Sequence, residues 1–476
     1  MLKKKENRIL FRLYIIFWIF AVAIYLIASP QFHTEAVNAE TAVAQYDVGE
    51  LVSGITVTQD ICVPSDRLET ISVKVANYAR ENQSNMQLLV SDLDGNEIAC
   101  AAVPLSEAKN WEYLDFRFPM PVTGKKGEVV RLSFSSEDSM PGNAVTLLHG
   151  SEKSKSIAVG FFSINHEEQG DVLCIRAEGS NEISFYILYW IVVILSFLVI
   201  LILCKKFKKE AAQGKSNVLT MFLSLSIRYD FLLQQLVSRE FKVKYKRSVL
   251  GVTWSLLNPL LTMTIQYLVF STLFKSDLDN YAAYLLIGIV FFNFFSEAVA
   301  SGMTSITNNA SLIKKVYVPK YIFPISKVLA SSINLLLSFI PLLFVILASG
   351  LSIRPSAILV VFDLICLLCF VLGLTMLLCT LMVFFQDMQF LWSIVCMMWM
   401  YCTPIFYPIT IIPESILHYF KLNPLFQFIS FARTCLISGI SPAPAAYFGC
   451  AIPAVFMLAF GVFVFRKKQN SFALYL

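Results

Sequence analysis

The residues in this sequence that could do chemistry are few and scattered. Gly214-Lys215-Ser216 comes nearest to a phosphate-cradling loop, but Lys209 stands where Gly-x-x-x-x-Gly-Lys-Ser/Thr needs its first glycine. No nucleotide is expected to bind this chain in that mode. The four histidines, His33, His149, His166 and His418, are too dispersed to read as a metal cluster. Cys62, Cys100 and Cys174 share one polar stretch without metal-ligand spacing; two could form a disulfide, or all could stay free thiols. Inside the apolar runs only Glu297 and Asp363 could carry a proton or an ion. Asp363, near the end of its run, reads as a capped or snorkelling carboxylate, whereas Glu297 stays open. Glu40, Asp47 and Glu50 could activate an acceptor hydroxyl in a membrane glycosyltransferase, although carboxylates are common throughout that acidic stretch. The last set is basic and amphipathic: residues 236–259, LVSREFKVKYKRSVLGVTWSLLNP, run directly into an apolar segment. Such a helix should lie on the inner membrane surface, with Val237, Phe241 and Leu250 toward lipid and Arg239, Lys242, Lys246 and Arg247 toward headgroups.

The elements that must position these groups follow from composition. The chain has 476 residues, 57% hydrophobic and only 15% charged, with a mean hydropathy of +0.65. An integral membrane protein is implied, and a soluble globular chain, a disordered chain and a nucleic-acid module are excluded; 11 cysteines are too few for a disulfide scaffold. Residues 30–183 hold 11 Lys and Arg against 23 Asp and Glu, a net of −12, which leaves +17 for the rest. That excess sits beside apolar runs, at Lys3-Lys4-Lys5, Lys205 to Lys209, Arg239 to Arg247, Lys314-Lys315 and Arg466 to Lys468. The positive-inside rule puts these clusters in the cytoplasm and the acidic segment outside.

A bilayer core takes about 20 apolar residues as helix, which predicts a polytopic helical protein with eight spans near 13–28, 184–204, 250–274, 282–306, 323–349, 357–385, 389–407 and 446–465. Residues 1–29 read as a basic start and signal anchor, with a cleaved signal peptide the alternative at Val37-Asn38-Ala39. Residues 30–183 form an extracytoplasmic β-domain, 184–204 the second membrane helix, 205–226 a basic linker, 227–249 the interfacial helix and 250–476 a six-span domain, both termini lying in the cytoplasm. Lys275, Asp277, Asp279, Arg354, Glu414, Lys421 and Arg433 fall in outer loops as scattered charges. Within 30–183, Ile71, Val73 and Val75, then Leu114, Phe116 and Phe118, then Val130, Leu132 and Phe134 alternate with polar neighbours, and Asp94-Gly95 makes a tight hairpin. Eight to ten short strands in a jelly-roll-like β-sandwich are expected.

Five short motifs then occur in order. Arg239-Glu240-Phe241-Lys242 with Tyr245-Lys246-Arg247-Ser248-Val249-Leu250-Gly251 leads to Trp254 and Asn258-Pro259-Leu260. Asn309 to Pro319, with Leu312, Ile313, Lys314, Lys315, Val316 and Tyr317, follows; next come Phe385-Gln386-Asp387, Thr403-Pro404-Ile405 with Tyr407-Pro408 and Pro413, and Asn423-Pro424-Leu425. Over about residues 227–476 the chain resembles the permease family of type-2 ABC exporters, specifically those moving polysaccharides such as O-antigen and teichoic acid. The resemblance implies a transport subunit without an ATPase site of its own. It also implies a homodimer served by two copies of a separate ATPase that binds the ATP and Mg, in the bacterial cell membrane, with a polysaccharide or glycolipid as substrate. In that family Asn309 to Pro319 would be the coupling helix, docking into the ATPase through apolar anchors and a basic rim, with lipid-headgroup binding as the plainer reading. Phe385 and Asp387 would make the cytoplasmic turn, where Gln386 replaces the family's Arg, and Pro404 to Pro424 the outer re-entrant region. Tyr267, Phe270, Phe291, Phe292, Phe294, Phe295, Trp392, Trp399 and Tyr401 offer ring faces to a sliding glycan or merely pack in the membrane. The β-domain is not a standard part of that family; Tyr78, Trp111 and Tyr113 are candidates for glycan stacking there, against a role in the strands. An exporter of a lipid or small amphiphile, and a membrane-anchored sugar-binding protein or glycosyltransferase, are the competing functions.

Overall fold

The computed structural model describes residues 2–78, 80, 82–153, 156–212, 229–246, 248–274, 280–315 and 318–475. Gly214 to Ser216, Arg247, Lys275, Asp277, Asp279, Val316 and Tyr317 lie outside the described residues. The chain divides into two compact units: Pro30–Leu188, and Met1–Ser29 with Tyr189–Leu476.

The first unit is all β. Its strands are β1 (Thr34–Glu40), β2 (Ala42–Glu50), β3 (Thr56–Cys62), β4 (Arg67–Ala76), β5 (Asn85–Ser91), β6 (Glu97–Pro104), β7 (Glu112–Thr123), β8 (Val129–Ser135), β9 (Thr146–Glu152), β10 (Ala158–Ile164), β11 (Glu167–Glu168), β12 (Val172–Leu173) and β13 (Ile175–Glu182). One sheet runs β1-β13-β4-β9-β12, with β2 on β9 and β7 on β4; the other runs β11-β10-β3-β8-β5-β6. The alternating residues do what their period demands. Ile71 and Val73 from one sheet meet Val57, Leu132 and Phe134 from the other in a single core, and Phe116 packs edge-on against Phe134 at 5.9 Å. At Asp94-Gly95 the chain turns back so that β5 pairs antiparallel with β6; Gly95 takes φ +89°, which glycine adopts without strain.

The described residues hold thirteen strands where eight to ten were expected. The additional ones include β1 and β2, TEAVNAE and AVAQYDVGE, which alternate poorly and, Ala42 apart, stay half-buried or exposed. They join the sheet through backbone hydrogen bonds at its margin, a role that needs no apolar face. Cys62, Cys100 and Cys174 are free thiols.

The second unit is helical. Its elements are α1 (Leu2–His33, which runs on into the β unit), α2 (Phe185–Ala212, which starts there), α3 (Asp230–Tyr245), α4 (Trp254–Phe274), α5 (Tyr281–Met303), α6 (Ala310–Lys315), α7 (Ile322–Ala348), α8 (Val360–Phe384), α9 (Met388–Tyr401), α10 (Glu414–Lys421), α11 (Pro424–Arg433), α12 (Pro444–Lys468) and α13 (Phe472–Tyr475). Among the described residues six helices are long and apolar enough to cross a bilayer, within α1, α2, α5, α7, α8 and α12. The apolar α4 has 21 residues. The run at 389–407 holds the shorter apolar helix α9, 14 residues and about 21 Å long, which ends before Pro404 and Pro408. Tyr189 donates a hydrogen bond to the Ala21 carbonyl at 2.6 Å, tying α2 to α1.

Small residues set the closest approaches. A Cβ on Gly461 of α12 would sit 1.9 Å from the Gly373 carbonyl of α8, so the two backbones touch there. Gly302 of α5 similarly admits Thr375 of α8. Helix α5 is apolar around most of its circumference and lies largely buried among its neighbours.

Candidate functional site

Helix α3 has an apolar face of Leu232, Leu233 and Leu236, which packs into a cluster with Phe323, Met376 and Phe465. Its polar face is tied down by ions. Glu240 accepts from Lys327 Nζ of α7 at 2.5 Å and from Arg239 at 3.0 Å. Lys244 reaches Glu297 of α5 at 2.8 Å, and Tyr245 donates to Asn334 Oδ1 of α7 at 3.0 Å. The expected orientation therefore holds only in part. Arg239, Lys242, Lys246 and Leu250 stay exposed, but Val237 and Phe241 are half-buried, Phe241 edge-on to Tyr245 at 5.3 Å. The reason is the pair of carboxylates, whose counter-ions lie on different helices. From Ser248, whose hydroxyl accepts from Gly251 N at 3.1 Å, the chain turns through a 3₁₀ segment at Gly251–Thr253. Gly251 has φ +52°, Trp254 opens α4, and Pro259 lies buried within it.

Glu297 accepts from Asn334 Nδ2 at 3.0 Å and Ser331 Oγ at 3.3 Å as well as from Lys244. It is a partnered group joining three helices. Asp363, in the first turn of α8, is fully buried beside the Cys450 thiol, so the snorkelling expectation fails: packed helices cover it.

The expected coupling segment is a short, anchored helix. Asn309 Nδ2 donates to the Ser305 carbonyl at 2.8 Å, and Ile313 packs on the cluster under α3. Leu312, Lys314 and Lys315 remain exposed on α6, while Pro319 accepts from Ile322 N at the start of the next helix. Phe385 ends α8 in extended conformation and is exposed; Asp387 directly precedes α9.

After α9 the chain is broken, as its prolines require. Pro408 precedes a 3₁₀ turn, Pro413 precedes α10, and Pro424 occupies the first turn of α11. Asn423 holds the break together: Oδ1 accepts from Trp399 Nε1 at 2.8 Å and Leu425 N at 3.1 Å, while Nδ2 donates to Thr403 Oγ1 at 2.9 Å. Tyr407 donates to the Tyr401 carbonyl at 2.8 Å. At the centre stands Arg433, expected as a scattered loop charge but only 7% exposed. It donates to the carbonyls of Pro404 at 2.8 Å, Ile405 at 3.1 Å and Tyr284 at 3.0 Å, and stacks 3.3 Å from the Tyr284 ring centroid.

Residues 232–437, from α3 through the turn after Arg433, match the family model described as ABC-2 type transporter. This stretch is an ABC-2 type transporter domain. The chain is similar to an O-antigen export system permease protein of Klebsiella pneumoniae, 29% identical over 264 residues, covering 53% of this chain and 99% of the relative. It is also 29% identical over 250 residues to the protein of that name from Myxococcus xanthus, covering 52% of this chain and 95% of the relative. With six helices long and apolar enough to cross a bilayer among the described residues, this is a multi-pass membrane protein.

The ABC-2 domain holds all the aromatic residues considered for stacking in the membrane, and the structure divides them. Phe291 and Phe295 are fully buried, hence closed to a passing sugar, while Phe292, Phe294 and Trp392 are largely buried but each line a cavity. Trp399 packs edge-on to Phe295 at 5.1 Å, and Phe270 stacks on Phe406 at 5.4 Å. Tyr267 and Tyr401 remain exposed.

The β unit lies outside the ABC-2 domain. Tyr113 does not present a free ring: the Arg176 guanidinium covers it at 4.0 Å, and Lys74 stands 5.8 Å away. Trp111 and Tyr78 are exposed at 49% and 40%, both with positive φ; Arg80 lies 5.3 Å from the Tyr78 ring. Glu40 secures this face, accepting from Lys153 and from Arg176 Nε at 3.0 Å. The Lys153 contact, with Arg176 adding to it against the opposing effect of partial burial, holds its carboxyl below the usual value of 4.5. A lowered folded-state value adds stability above pH 4.5 that disappears as pH falls through it. The stability of residues 30–188, followed by circular dichroism, should therefore weaken as pH falls below 4.5, and Glu40→Gln should flatten that dependence. An unchanged acid limb in the variant would assign it to other carboxylates.

Proposed function

We propose that this chain is the membrane-spanning subunit of an ATP-driven exporter that carries a lipid-linked cell-surface polysaccharide across the bacterial cytoplasmic membrane. The observation that carries the reading is the ABC-2 match at 232–437, together with relatives named as O-antigen export permeases that align over nearly their whole length. A separate ATPase binds the ATP and Mg and supplies the energy. Two copies of this chain, each with the eight spans read from the sequence, form the pathway and engage two ATPase chains. The basic clusters place both termini in the cytoplasm and the acidic β unit outside. There the exposed rings of Trp111 and Tyr78 suit the apolar faces of sugar rings, and the net charge of −12 on residues 30–183 favours a neutral or zwitterionic glycan over a polyanion.

The purified chain alone should not hydrolyse ATP, and hydrolysis should appear when an ABC ATPase from the same cell is added. Turnover by this chain in the absence of any partner would end the subunit reading. Deleting its gene should remove a glycan from the cell surface while lipid-linked precursor accumulates inside.

A further inference from the structure

A cavity of about 390 Å³ lies among α3, α4, α5 and α7, a volume typical of small-ligand sites. Its polar lining is rich in amides and hydroxyls: Asn258 and Ser255 from α4, Asn293 from α5, Asn334 and Ser338 from α7, and the Tyr245 hydroxyl from α3. The partnered groups are already fixed. Tyr245 donates to Asn334, Asn334 donates to Glu297, and Ser338 donates to the Ser255 carbonyl at 3.3 Å. Two groups are left over. Among the described residues the Asn293 side chain has no hydrogen-bond partner, and the Asn258 amide nitrogen has none while its Oδ1 accepts from Thr262 at 3.3 Å.

Helix α4 prolongs this polarity along an otherwise apolar length. Ser255, Asn258, Thr262 and Gln266 recur at intervals of three, four and four, which places them on one helical face. Gln266 Oε1 is buried without a partner. Unpaired amides in an apolar helix are costly, and such groups mark a substrate path or a water-filled cavity.

The charge balance selects the ligand. Lys244 and Glu297, the two ions on the cavity wall, neutralise each other at 2.8 Å. The wall therefore offers no net charge to draw in a phosphate or an ammonium group. A sugar hydroxyl both donates and accepts, matching free amides at Asn258 and Asn293, and the Trp254 ring on the same wall offers an apolar surface to the sugar's C–H face.

We infer that this cavity binds a neutral, hydroxyl-rich headgroup, a sugar unit of the transported glycan, through Asn258 and Asn293. The inference rests on the export reading for the identity of the sugar's carrier, but its chemistry can be tested without transport. The full-length chain in phospholipid nanodiscs is titrated with radiolabelled dodecyl maltoside, with dodecylphosphocholine as competitor of equal chain length. Saturable binding is expected, with the phosphocholine at least tenfold the poorer competitor. Asn293→Leu should weaken binding at least tenfold, and Asn293→Gln, which keeps the amide, by less than Leu. Asn258→Leu provides the same reading should the first variant not assemble, and unchanged melting temperatures exclude a folding defect.

Competition by free maltose at the affinity of the alkyl glycoside supports a site for the polymer's own sugars. Competition by the alkyl glycoside alone supports a site for sugar next to the lipid. Binding within twofold of wild type in both Leu variants, or equal displacement by phosphocholine, overturns the assignment. If deleting the gene leaves surface glycan unchanged, the export reading fails while these binding results still decide the cavity.

Discussion

Arg433→Leu is expected to lose export by at least tenfold and to unfold at a markedly lower temperature. The buried carbonyls of Pro404 and Ile405 and the partly buried carbonyl of Tyr284 would lose a charged donor at once, and the shorter Leu side chain offers no donor in its place. A hydrogen bond to a charged group contributes about 1.5–3 kcal/mol, so a loss on the order of 3 kcal/mol or more is anticipated even with partial relaxation. Arg433→Lys should recover little, because one ammonium on a flexible stem cannot reproduce the planar fork over the Tyr284 ring. Thermal unfolding in detergent and a surface-glycan assay together check this. Wild-type melting in the Leu variant would show that the broken region after α9 is held by Asn423 and packing instead.

Leu312→Asp should uncouple the chain from its ATPase while leaving it folded. Leu312 is exposed on α6, between Ile313, which anchors the helix inward, and the basic pair Lys314 and Lys315. A large apolar side chain held outward on an anchored helix suits a partner's cleft, and losing such an anchor typically costs about 2 kcal/mol or more, roughly thirtyfold in affinity. Co-purification of the ATPase and export should both fall away, with membrane insertion and melting unchanged. Ile313→Asp should differ by lowering the melting temperature, since it puts a charge into the cluster under α3. Replacing Val316 and Tyr317, the other sequence-level anchors, with Asp should act like Leu312→Asp. Normal export by the Leu312 variant would place the docking element elsewhere.

The two variants also show which parts of the site could be read in advance. Leu312 belongs to a run, Asn309 to Pro319, whose residue types and position in a series of motifs already suggested a docking helix. Arg433 carried no such signal. It read as one more scattered loop charge. Glu297 was conspicuous as a carboxylate in an apolar run, yet its partners Lys244, Ser331 and Asn334 are 53, 34 and 37 residues away.

The apolar runs, the segregation of charge, the alternating strands β4, β7 and β8 and the hairpin at Asp94-Gly95 are legible in the chain, because each depends on residues within one turn or one pleat of each other. Packing settled the rest. It paired β1 with β13 across the whole β unit, buried Phe291 and Phe295 where their rings cannot meet a substrate, and laid the Arg176 guanidinium over Tyr113. It brought Arg433 to a carbonyl 149 residues earlier in the chain. Periodicity shows that a side chain must be covered or a carbonyl satisfied, but which distant group meets that need depends on how the helices and sheets pack.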